Sequence, residues 1–344
     1  MRSKALIVIA LCLLGSTFAL AQDEEGGGGG RGRGGRGRGN QPPPPAPETT
    51  APDIAGVVAG GTKVQLVKEG FTDAQGMVAA PDGSVLFTER SANKITKVDR
   101  DGNLTTYMEN TRAANGISFD PKGRLIGVRY GDAPGVAVLA PAPSVLSSKF
   151  GNDGYGHPKD LVVDKKGGVY FPDQAGIFAD GIQPGVFYVT PDGKTLKVAN
   201  DIQRPSGVAL SPDEKSLYVS DALGTRIKVM DVQPDGTVKN ERNFVEMFDR
   251  MPTHSMADGM TVDAVGRLYV ATFRGVVVIS PEGKLLGRIP IPRQPLNIAF
   301  AGADKKTLYV LGGEMGLRDA AAIPEFGSLY KIPMLAEGYK GRSR

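Results

Sequence analysis

The chain predicts an all-β fold, a six-bladed β-propeller whose amino-terminal strand closes the last blade. Three observations carry this. A short pattern of apolar strand, turn and second strand recurs six times, as QGMVAAPDGSVLFT, NGISFDPKGRLIGV, KDLVVDKKGGVYFP, SGVALSPDEKSLYV, DGMTVDAVGRLYVA and NIAFAGADKKTLYV. Counted from Gln75, Asn115, Lys159, Ser206, Asp258 and Asn297, the copies stand 40, 44, 47, 52 and 39 residues apart, the length of one four-stranded blade. Five copies are followed by a second hairpin, the sixth by a single strand, while one unpartnered strand precedes the first copy.

In chain order, Arg2 and Lys4, the apolar run Ala5–Gly15 and the small-x-small site Ala19-Leu20-Ala21 read as a secretory signal, residues 1–21, cleaved after Ala21. Export to the periplasm or the exterior is expected. The run is too short for a spanning helix, and no later stretch is long enough. Cleavage removes Cys12, the one cysteine, so the mature chain needs no disulfide. Residues 22–52 have almost no apolar side chains to bury and read as a disordered Gly/Arg- and Pro-rich spacer.

The propeller takes residues 53–344. Lys63–Phe71 (KVQLVKEGF) is the unpartnered strand. The outer hairpins follow at residues 93–107, 135–145, 185–199, 225–240 and 275–289, and Gly327–Leu335 is the lone outer strand of the sixth copy. Closure by Lys63–Phe71 supplies the missing strand and removes an exposed edge. Turns such as Pro81-Asp82-Gly83 and Pro191-Asp192-Gly193 separate strands rich in Val, Ile, Leu and Tyr. The recurring Tyr218, Tyr269 and Tyr309 share one strand position and read as core.

Charge excludes one class of partner. Lys and Arg number 41 against 37 Asp and Glu; the signal removes two of the cations and the spacer's charges cancel, so the domain is nearly neutral. No nucleic-acid partner is expected, and a monomer is. The sequence contains no Gly-x-Ser-x-Gly elbow and no zinc spacing of His and Cys.

If each copy is an innermost strand, the six polar residues that begin the copies line one mouth of the channel. The segments Arg112–Leu125, His157–Asp173, Arg204–Asp221, Ala257–Ala271 and Gly283–Phe300 resemble the senescence-marker-protein, gluconolactonase and luciferin-regenerating-enzyme family, and the resemblance spans all six copies from Phe71 to Ile332. It implies a divalent cation, usually calcium, in the channel mouth, and lactone hydrolysis as the commonest activity. Carried over by position, it makes Gln75, Ser206 and Asp258 metal ligands, Asp258 also the base, and Asn115 a substrate contact, with Arg112 and Asn297 beside it.

The match is uneven. Gln75 stands where the family has Glu, Lys159 where it has Asn, and Ser206 where it has Asn. Calcium needs six to eight oxygens and gains affinity from ligand charge, and an ammonium in the ring opposes it. Weak calcium binding or none is expected, with Lys159 in the metal's place. Lys159 then holds the oxyanion and Asp258 takes the proton. His157 and His254, in loops before the third and fifth strands, are a candidate catalytic base and a substrate contact. Two readings follow: an exported hydrolase of sugar lactones or related esters, or a non-catalytic propeller that binds a sugar acid, polysaccharide or protein.

Overall fold

Strand alternation puts successive side chains on opposite faces of each blade. Val85 and Phe87 join one apolar cluster and Leu86 the next; Tyr269 and Ala271 face one neighbouring blade, Leu268 and Val270 the other. The result is six apolar layers, one at each junction between blades. The computed structural model describes residues 46–175, 183–247, 255–313 and 327–342. The signal, most of the spacer and His254 lie outside them. All regular structure among the described residues is strand.

Five sheets follow the chain. Blade I holds Ala74–Ala79, Val85–Glu89, Lys94–Val98 and Leu104–Glu109; blade II holds Ala114–Phe119, Leu125–Arg129, Gly135–Ala140 and Ser144–Ser147. Blade III holds Val162–Val163, Val169–Asp173, Gly185–Val189 and Thr195–Ala199; blade IV holds Pro205–Leu210, Ser216–Asp221, Arg226–Val232 and Val238–Glu246. Blade V holds Met260–Val262, Leu268–Thr272, Gly275–Ile279 and Leu285–Ile289. In blade VI, Gln294–Ala301, Thr307–Gly313 and Gly327–Pro333 are joined by Lys63–Phe71, antiparallel to Gly327–Pro333. The amino-terminal strand closes the propeller as expected. Thr49–Thr50, inside the span read as spacer, adds a fifth strand against Lys63–Val64. Tyr218, Tyr269 and Tyr309 are all buried.

Blade III has the shortest inner strand, two residues. Its second strand carries Pro172, which has no N–H to give the ladder. The inner strands also crowd one another. A Cβ on Gly76 would meet the Asn115 carbonyl oxygen at 2.1 Å, and one on Gly207 the Asp258 carbonyl oxygen at 2.1 Å. The glycine after each of these ring residues lets the next blade approach. Hydroxyls then pin the junctions: Thr88 Oγ1 accepts from Gly76 N and donates to the Asn115 carbonyl, and Ser220 does the same between Gly207 and Asp258.

The tail after blade VI crosses the end of the channel opposite the ring. Tyr339 N donates to the Val262 carbonyl, Gly338 N to the Lys305 carbonyl, and Arg342 to the carbonyls of Leu210 and Ser211.

Candidate functional site

Five of the repeated positions stand at or just before the start of their inner strands, Asn297 lies three residues into its own, and four of the six touch through a single chain of polar contacts. Lys159, from blade III, reaches across to blade I, where its Nζ donates to Gln75 Oε1 at 2.6 Å. The same ammonium stands 3.4 Å from Asp258 Oδ2 of blade V, with both side chains about 15% exposed to the channel. Ser206 Oγ of blade IV donates to Asp258 Oδ1 at 2.8 Å and receives Gln174 Nε2 at 3.3 Å.

At the other end, Gln75 Nε2 donates to Asp73 Oδ1 at 2.8 Å. Asp73 is fully buried, held by Arg90 Nε and Ser91 Oγ at 2.8 Å each. This accounts for Gln75. Its amide gives an oxygen to a cation and an N–H to a carboxylate, whereas a glutamate here would face Asp73 charge to charge.

Asp73 and Arg90 belong to a second tier that the sequence reading missed. Two residues before the ring stand Asp73, Ala113, His157 and Arg204, and each carbonyl receives the N–H of the residue just after its blade's second strand: Arg90, Tyr130, Gln174 and Ala222. In blades I, III and IV the second strand ends in an acid, Glu89, Asp173 or Asp221, that holds the loop in place. Asp173 accepts from the N–H groups of Gly156, His157 and Ala175, and Asp221 from those of Arg204 and Leu223. The acid that closes FTE, FPD and VSD in the first, third and fourth copies was the available signal, with Arg129 at that position in the second. Asp73 and Ala113 adopt left-handed φ of 52° and 55°, which Asp tolerates better than most residues.

His157 sits in this tier. Its Nε2 lies 3.3 Å from Arg90 Nη1, so that nitrogen is the acceptor and Nδ1 carries the proton. Its ring packs on Tyr130 at 4.4 Å, and Arg90 covers the Tyr130 face at 4.9 Å. Burial, with the charges of Lys159, Arg90 and Arg204, lowers the imidazole to about 3. An unfolded histidine titrates near 6.5. Below that pH the unfolded chain takes a proton that the native site refuses, so this contribution to stability falls as pH drops from about 6.5 toward 3. The wild-type folding constant should lose up to about ten-fold per pH unit from this group between about pH 6 and pH 4. Urea unfolding of wild type and His157→Asn across that range checks it; parallel curves would refute it.

The remaining candidates are more structural in their contacts. Asn115 is fully buried, its Nδ2 donating to the Pro158 carbonyl at 3.3 Å, while its Oδ1 meets no donor among the described residues. Asn297 Oδ1 receives Ile298 N at 2.9 Å. Arg112 is exposed at the rim of blade II, in left-handed conformation; burial, and then the charge of Arg112, lowers the pKa of the Arg129 guanidinium. Among the described residues, neither Arg112 nor Asn297 hydrogen-bonds to Lys159 or Asp258, though the Asn297 side chain lies against Gly259.

Residues 74–313 match the family described as SMP-30/gluconolactonase/LRE-like region. The chain belongs to this family. The gluconolactonase of Zymomonas mobilis is 26% identical over 293 residues, 76% of this chain and 82% of that protein. Among solved structures, a gluconolactonase from Xanthomonas campestris superposes with a TM-score of 0.70 at 23% identity, over 84% of this chain and 98% of its own. Regucalcin from Agrobacterium tumefaciens, a calcium-binding protein, gives 0.62 at 17% identity, over 81% and 98%. Both structures share the fold.

Against the family's cation, the donor set here does not fit. Calcium takes six to eight oxygens at 2.3–2.6 Å. At this mouth Gln75 Oε1 is filled by the Lys159 ammonium, the Ser206 proton is committed to Asp258, and Asp258 is the one ring carboxylate facing the ammonium. No group of three His, Cys, Asp or Glu suited to a metal occurs among the described residues.

Proposed function

We propose that the chain is an exported hydrolase of sugar lactones or related esters in which the Lys159 ammonium does the electrostatic work of a metal. The observation that carries this is the meeting of Lys159, Gln75 and Asp258 at the mouth of a gluconolactonase-family propeller. The ammonium, held by Gln75, faces the position where a carbonyl oxygen gains charge as water adds. Asp258 takes the proton of the attacking water, and Ser206 and Ser220 hold its carboxylate and backbone in place. As the tetrahedral centre collapses, the ring C–O bond breaks. The proton held by Asp258 passes to the departing alkoxide, leaving a hydroxy acid. His157, its acceptor nitrogen turned to Arg90 and its ring packed on Tyr130, positions those two side chains beside the substrate.

Turnover of glucono- or aryl-lactones should then survive chelator and gain less than about two-fold from added calcium, since the added ion must displace an ammonium from its oxygens. Activity that chelator abolishes and calcium restores would overturn the reading. One observation favours the alternative of a non-catalytic propeller binding a sugar acid: both Asp258 oxygens are engaged, by Ser206 and Lys159. No turnover with or without metal, together with saturable sugar-acid binding, selects that alternative.

A further inference from the structure

Basic side chains also gather at the far end of the channel. The carboxy-terminal tail covers the ends of the blade IV and V inner strands, and a cavity of about 440 Å³ opens beside it. Apolar side chains such as Phe119 and Val163 form one wall, and Arg100, Lys165, Lys305, Lys340 and Arg342 supply the charge. That volume suits a small organic molecule.

The two carboxylates lining the cavity are already engaged. Asp120 is held by Arg124 Nε at 2.7 Å and by the N–H groups of Lys122 and Arg124. Asp164 accepts from the Tyr188 hydroxyl at 2.7 Å and from the N–H groups of Lys166 and Gly168. Lys340 pairs with Glu337, and Arg342 with Glu214, both at 2.9 Å. Lys305 differs. It is partly buried and donates to the carbonyls of Tyr339 at 3.0 Å and Arg342 at 2.8 Å, with no carboxylate partner among the described residues. Two of its three protons are placed, leaving the third for an acceptor.

Burial and the nearby charges of Arg342 and Lys340 pull this ammonium down to about 8. A buried cation facing other cations is costly unless something negative joins it. The tail carbonyls fix Lys305 in place, so its position owes nothing to a ligand.

We propose that this rear cavity binds a compact dianion, of the phosphate or dicarboxylate kind, on Lys305, with Arg100, Lys165 and Lys340 around it. The site is separate from the lactone chemistry at the front mouth and does not depend on it.

The test is calorimetric titration of the whole chain at low ionic strength with inorganic phosphate and, separately, with succinate. Saturable binding of either is expected, the tighter of the two identifying the ligand's chemistry. Lys305→Met should raise the Kd about ten-fold, the weight of one charge-assisted hydrogen bond. Arg100→Gln, on the exposed rim, repeats the test should the first change disturb the tail. Lactone turnover, read in parallel, should be unchanged in both variants. No saturable binding by wild type, or binding that neither change weakens, overturns the proposal.

Discussion

Replacing Asp258 by Asn is expected to lower kcat for lactone hydrolysis by about 10²–10⁴-fold, the usual worth of a positioned base. The amide still accepts from Ser206 but cannot take a proton from water. Lys159→Met should cost about 10²–10³-fold, comparable to losing one oxyanion donor. The two changes together should cost much less than the product, because residues acting on one transition state are not additive. Initial rates of the three variants, each checked for wild-type melting, decide the matter. Wild-type kcat in Asp258→Asn would move the base elsewhere.

The second large effect concerns folding. Deleting residues 52–70 should abolish cooperative unfolding, whereas deleting residues 22–45 should leave the transition unchanged. Within the first deletion, Ile54, Val57, Val58 and Val64 are buried, at about 1.5–3 kcal/mol for each fully buried side chain. That sum is an upper bound, yet it matches the whole stability of a typical domain, about 5–15 kcal/mol. The deletion also bares the edge of Gly327–Pro333, including Tyr330 and Ile332. Thermal melts of the two truncations test this, and equal transitions would remove the closing strand from the stability argument.

Fold and site were legible to different depths. Because the repeat fixes backbone position, the blades, the closing strand and the ring of Gln75, Lys159, Ser206 and Asp258 could all be placed from the sequence. Repetition says nothing about where a long side chain ends. That Lys159 crosses from blade III to Gln75 on blade I depends on the width of the channel. Asp73, Arg90 and Gln174 were overlooked because they sit in connecting turns, where their residue types change from blade to blade. The role of Gln75 follows from Asp73, so missing the buried acid left the glutamine looking like simple loss of a metal ligand. His157 lay in the expected loop, but its partner Arg90 belongs to another blade.

Closure by the amino-terminal strand also sets an order of events during synthesis. Leu66 pairs with Tyr330 and Gln65 with Lys331, so the strand waits for a partner translated about 260 residues later. Blades I to V are each made of neighbouring segments and can assemble separately, but the ring cannot shut until the last hairpin is in place. Such late pairing slows folding and leaves hydrophobic surface open meanwhile. Chains truncated before residue 327 should therefore aggregate on refolding, which light scattering would detect, and the exposed Lys63, Gln65 and Lys68 of the waiting strand are polar edge residues of the kind that disfavours pairing with a second chain.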